Sequence, residues 1–151
     1  MQLNSPEETL NLSNKIGKKL SHGDVVFLYG EIGVGKTTFI RGLINYLEIQ
    51  RGLKQSEVLS PTFNIVFDYK IKELKIMHYD LYRLNNSRDI NELGIFSEET
   101  DNIVLIEWPE LIKQKPQNRI ELFFNYSEDF NSRNLYIKTY GKWQNYDFEK
   151  I

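Results

Sequence analysis

Eight residues constrain this chain more than any others: Gly30-Glu31-Ile32-Gly33-Val34-Gly35-Lys36-Thr37, which matches G-x-x-x-x-G-K-[ST] at every fixed position. Val25 to Tyr29, a continuous apolar run, leads into it, and apolar residues at Phe39, Ile40, Leu43, Ile44 and Leu47 follow at helical spacing. A strand buried on both faces, a glycine-rich turn and an amphipathic helix are therefore expected in that order. Glycines let successive backbone N–H groups turn around a phosphate, and the helix N-terminus adds the positive end of its dipole. Lys36 is spaced to reach β- and γ-phosphates, and Thr37 supplies a hydroxyl for Mg²⁺. A nucleoside triphosphate is the expected ligand. No Asn-Lys-x-Asp follows the loop, since Asn14-Lys15 lies upstream of it, which favours ATP over GTP.

Around this unit the pattern is that of one α/β domain. Ser5, Pro6 and Glu8 have the form of an N-cap, a first-turn proline and a capping acid, which predicts a helix from Pro6 to about Leu20. Phe63 to Ile71 and Leu74 to Tyr79 flank Lys72-Glu73 as a β-hairpin, and Asp89 to Leu93 reads as a helical turn. Ile103 to Ile106 is a second buried strand, and Arg119 to Tyr126 and Asn134 to Tyr140 alternate as further strands. The expected architecture is three-layer αβα, with a central mixed sheet, an inserted β-hairpin and C-terminal antiparallel strands.

Composition narrows the chemistry. The 151 residues carry 19 basic against 21 acidic side chains, so no general polybasic field exists for gripping nucleic acid. With no cysteine and two histidines, thiol catalysis and Cys-ligated metals are excluded and a His-rich site has little to draw on. The longest apolar run is far shorter than a bilayer span, and Met1 to Glu8 has neither the basic nor the apolar region of a signal peptide. The expectation is a soluble, cytoplasmic protein with no membrane partner.

A triphosphate site of this kind needs an acid near the metal, usually at the end of an apolar strand. Asp80 follows Ile76-Met77-His78-Tyr79 and Glu107 follows Ile103-Val104-Leu105-Ile106. Glu107, with the better apolar run, is assigned to Mg²⁺ directly or through water, and Asp80 to the metal shell or the attacking water. Either acid is also the kind of residue that caps a strand end. Thr62, in Ser60-Pro61-Thr62, reads as a turn residue or as the sensor of a mobile switch. His78 reads as a packed or hydrogen-bonded residue rather than a general base, and Trp108 as core or as an active-site or partner-facing ring.

At these residues the chain resembles the TsaE family, the small P-loop ATPases of bacterial tRNA threonylcarbamoyladenosine biosynthesis. The resemblance rests on residues 28–39 with Arg41-Gly42, on Ser60-Pro61-Thr62-Phe63 and His78-Tyr79-Asp80-Leu81-Tyr82-Arg83-Leu84, and on Glu92-Leu93-Gly94-Ile95 and Glu107-Trp108-Pro109. It covers about residues 1–140, a single P-loop NTPase domain, and leaves 141–151 as a C-terminal tail of unknown role. It implies an ATPase, weak alone, that works with TsaB and TsaD and meets tRNA only through them. TsaD would transfer the threonylcarbamoyl group to adenosine next to the anticodon of ANN-decoding tRNAs.

By position, the resemblance implies that Glu31, Ile32, Gly33, Val34, Gly35, Lys36, Thr37 and Thr38 hold the ATP phosphates, with Thr62 and Arg133 near the nucleotide. It places Thr37 and Glu107 on Mg²⁺ and makes Lys36, Asp80, Glu107 and Trp108 necessary for activity. Glu31 stands where many relatives carry Asp, a change the loop tolerates because its backbone does the binding. Other readings of the same loop are a nucleotide-dependent switch with negligible hydrolysis and a small-molecule or nucleotide kinase. The six arginines include no cluster of the kind a kinase lid uses.

Overall fold

The computed structural model describes residues 1–97 and 101–150. Its framework is one seven-stranded sheet: β1 (Gln2–Leu3), β2 (Val25–Tyr29), β3 (Val66–Ile71), β4 (Leu74–Asp80), β5 (Ile103–Glu107), β6 (Arg119–Tyr126) and β7 (Arg133–Tyr140). The spatial order is β1-β7-β6-β2-β5-β4-β3. The four central strands β6, β2, β5 and β4 run parallel, while β1, β7 and β3 are antiparallel to their neighbours. Being central explains why β2 is apolar throughout: Val26 and Leu28 join the core on one face, Val25 and Phe27 that on the other.

Helices α1 (Pro6–Gly17) and α2 (Lys36–Gln50) cover the first face. Ser5 caps α1 by accepting from the Glu8 amide at 3.2 Å, whereas Glu8 reaches back to the Asn4 amide. The helix stops at Gly17 rather than Leu20 because the chain then tightens, Leu20 N–H bonding to the carbonyls of both Ile16 and Gly17. Leu12, Ile16, Phe39, Ile40, Leu43, Ile44 and Leu47 from the two helices pack onto Ile76, Leu105 and Leu122 of the sheet.

The second face carries a thinner layer. Its cover is a six-residue helix, α3 (Ser87–Glu92), with Ile95 and Ile112 from loops, laid over Val25, Phe27, Tyr79, Val104 and Ile106. α3 starts earlier than expected because Asn86 caps it, accepting from the Asp89 amide at 2.9 Å. The hairpin adds two strands to the sheet: β4 lies inside it, parallel to β5, and β3 forms the edge. Strand β3 begins at Val66 rather than Phe63, because the Ile65 amide turns back to the Pro61 carbonyl with Ile65 in the left-handed region.

Residues 141–150 continue the fold. After a 3-10 turn at Gly141–Trp143, Trp143 and Phe148 are 5% and 2% exposed and belong to the core under α1 and α2. Phe148→Ala is expected to cost about 3–5 kcal/mol and to lower Tm by about 10 °C. A melting curve unchanged from wild type would detach this segment from the core. Among the described residues no helix is long and apolar enough to cross a membrane.

Candidate functional site

Three strand ends, of β2, β5 and β4, lie side by side at the carboxyl end of the sheet. The glycine loop leaves β2, and the parallel pairing of β2 with β5 and of β5 with β4 sets Glu107 beside Leu28 and Asp80 opposite Glu107. Ligands of open α/β sheets bind at these carboxyl ends, where loops diverge. Gly30 turns the chain out of β2 at φ 140°, and a Cβ there would sit 2.5 Å from the Phe124 carbonyl oxygen, so only glycine fits. Gly35, at φ 120°, enters α2 without a side-chain cap, leaving the first-turn amides and the positive helix end to face the cleft.

The carbonyls of this loop are held by the protein itself. Lys36 Nζ donates to those of Gly30 and Glu31, Tyr126 Oη to that of Ile32 at 2.9 Å, and Arg133 Nε to that of Val34 at 3.0 Å. Lys36 also lies 4.2 Å from the Trp108 ring centroid, a cation–π contact. Burial holds its ammonium below the ordinary lysine range, opposed by the charges of Glu107 and Asp80. Trp108 is aimed at this point by a left-handed backbone, φ 58°, with its amide bonded to the Leu28 carbonyl and its ring 4.9 Å from that of Tyr82.

Opposite the loop stand the two acids. Thr37 Oγ1 donates to Glu107 at 2.9 Å (Oε1) and 3.2 Å (Oε2), and His78 Nε2 lies 2.9 Å from Oε1. Asp80 Oδ2 accepts from Ser60 Oγ at 2.7 Å and Thr62 Oγ1 at 2.8 Å, while Oδ1 accepts from the Tyr82 amide at 3.0 Å. Asp80 therefore anchors the 60–62 turn, and Glu107 faces the helix that follows the glycine loop.

Ile32, Gly33, Gly35, Lys36, Thr37, Thr38, Thr62, Asp80, Glu107 and Trp108 line one cleft of ≈ 350 Å³, together with Ser60 and Tyr82. Arg133 lines an adjoining cavity of ≈ 310 Å³ that shares Gly33, Gly35 and Thr38 with this cleft and also touches Val34. Glu31 contributes its carbonyl to Lys36 and its side chain is exposed. Ser60 and Tyr82 stand in matching motifs with no site role of their own in the sequence reading, and the Tyr126 contact has no sequence signal. For His78 a signal existed: two residues before Asp80 on a strand, it lies on the same face.

The donor set fits a hard divalent cation bound with phosphates. Among the described residues no three His, Asp or Glu side chains group so as to hold a metal alone. A hydroxyl and a carboxylate beside a helix N-terminus instead suit Mg²⁺, which keeps its waters and takes one or two protein oxygens plus phosphate.

Fold and site together define an α/β protein with a mixed sheet and a cleft at the carboxyl ends of its parallel strands, lined by Lys36, Asp80 and Glu107. The family model of the threonylcarbamoyl adenosine biosynthesis protein TsaE matches residues 3–135, and the chain belongs to that family. It is 42% identical over 111 residues to the tRNA threonylcarbamoyladenosine biosynthesis protein TsaE of Rickettsia conorii, covering 74% of this chain and 61% of that protein. With the TsaE protein of Bacillus subtilis it shares 33% identity over 127 residues, 83% of this chain and 76% of that one. The crystal structure of Bacillus subtilis YdiB superposes with a TM-score of 0.72 at 26% identity, covering 94% of this chain and 85% of YdiB.

Proposed function

We propose that this chain binds ATP with Mg²⁺ in the cleft between the 30–37 loop and Glu107, and hydrolyses it in support of the TsaB and TsaD proteins. The observation that carries this reading is the contact of Thr37 Oγ1 with Glu107 at 2.9 Å, in the same cleft as the Lys36 ammonium. A hydroxyl from the helix start and an acid from the neighbouring parallel strand are the pair that a metal-bound triphosphate requires. Mg²⁺, held by Thr37 and Glu107, would supply neutralisation of the developing phosphate charge.

The remaining work falls to the chain's own groups. Lys36 exchanges the Gly30 and Glu31 carbonyls for phosphate oxygens, and the N-terminus of α2 adds its dipole. Asp80 orients water near the γ-phosphate, and Ser60 and Thr62 couple that acid to a turn at the cleft mouth. Trp108 shields the Lys36 ammonium from solvent and strengthens its field. Among the described residues no Gln or Asn side chain lines this cleft to position water, and slow hydrolysis by the isolated chain is the expected consequence.

The family name places the chain in threonylcarbamoyladenosine biosynthesis, and we read it there as a cytoplasmic ATPase whose tRNA contact runs through TsaB and TsaD. The test is Mg²⁺-dependent phosphate release from ATP, by wild type alone and then with TsaB and TsaD from the same organism. Slow release alone that rises when both partners are present is the expected result. ATP binding with no release under either condition would replace the ATPase reading with that of a nucleotide switch.

A further inference from the structure

His78 is fully buried on β4, on the same sheet face as Ile76 and Asp80, and diagonal to Glu107 across the β4–β5 pair. Its Nε2 lies 2.9 Å from Glu107 Oε1. A carboxylate offers only acceptors, so Nε2 carries the proton and donates. The other ring nitrogen, Nδ1, is buried and has no hydrogen-bond partner among the described residues.

That asymmetry decides between packing and function. An imidazole buried with one nitrogen unpaired is a poor choice for filling a core, because the unpaired group keeps its full desolvation cost while an aliphatic side chain would have none. What the histidine supplies, and leucine would not, is a directed N–H toward one oxygen of an acid that is itself 3% exposed. We propose that His78 is a positioning residue for Glu107: its Nε2–H pins Oε1 and thereby holds the carboxylate toward Thr37 and the cleft in the orientation a hard cation needs. Outer partners of this kind orient the groups that touch a metal, and their loss characteristically costs about 10–100-fold in metal affinity or activity. This inference rests on the Mg²⁺–ATP reading of the cleft.

The test compares the full chain with His78→Leu, which removes the donor, and His78→Gln, whose amide can place an N–H near the Nε2 position. Mn²⁺ affinity is read by electron paramagnetic resonance in the presence of adenylyl imidodiphosphate, alongside kcat and KM for ATP and the melting temperature. His78→Leu is expected to weaken Mn²⁺ at least about tenfold and to lower kcat by a similar factor. KM for ATP should hold within about threefold and Tm within a few degrees, while His78→Gln restores most of the Mn²⁺ affinity. Wild-type Mn²⁺ affinity in His78→Leu overturns the proposal. Equal impairment of both variants with a fallen Tm also overturns it, leaving a packing role. If the wild-type chain binds neither the analogue nor Mn²⁺, the nucleotide reading itself fails and this proposal falls with it.

Discussion

Lys36→Ala is expected to weaken ATP binding by about 10- to 100-fold, measured with a fluorescent ATP analogue both with and without Mg²⁺. Among the described residues the ammonium is the single cation lining the cleft, and charge-assisted hydrogen bonds to phosphate are worth about 1.5–3 kcal/mol each. Its present partners are the carbonyls of Gly30 and Glu31, so a phosphate that takes the ammonium competes with contacts already made. The loss is therefore smaller than that of a free lysine, and it persists without metal because the interaction is with phosphate oxygen. Unchanged affinity in Lys36→Ala would move the nucleotide away from the 30–37 loop.

Glu107→Gln should separate binding from turnover. The substitution keeps the shape and one carbonyl acceptor for Thr37 Oγ1 but removes the charge from a buried acid in contact with Thr37 and His78. ATP affinity without Mg²⁺ is expected to stay within about threefold, because no part of the carboxylate is asked to touch phosphate. Mg²⁺-dependent phosphate release in the presence of TsaB and TsaD is expected to fall by about 100-fold or more, the effect of removing a charge that positions the metal. Turnover at the wild-type rate would take Glu107 out of the mechanism and leave Asp80 as the acid that matters.

The two variants probe contacts of different sequence range, and that difference explains what was legible beforehand. Lys36 and its loop are local: the partners of its ammonium are five and six residues away, and the turn follows from glycines at φ values that other residues avoid. Glu107 meets Thr37 across seventy residues. A strand-end acid is visible in sequence, but which of Asp80 and Glu107 faces the helix start depends on strand order.

The positions where expectation and structure part have the same origin. An alternating pair of strands around Lys72-Glu73 reads as a hairpin either inside or outside a sheet, and only the parallel pairing of β4 with β5 places it inside. Trp143 and Phe148 sit in a segment with no periodicity of its own, yet both are buried in the core cluster that α1 and α2 also join. Arg133 is near the loop, its guanidinium bonded to the Val34 carbonyl in the cavity that adjoins the cleft.

The sequence alone determined the elements whose cause lies within a few residues. These are the glycine loop between a doubly buried strand and an amphipathic helix, the Ser5 cap, the hairpin turn and the strand-end acids. Hydrophobic period, capping and positive-φ glycine all act at that range. Only the tertiary structure decided that Thr37 and His78 share Glu107, that Ser60 and Thr62 share Asp80, and that Trp108 lies over Lys36. Those contacts depend on the order β6-β2-β5-β4. Burial of whole strand faces against one another selects that order, and no single segment of the chain encodes it.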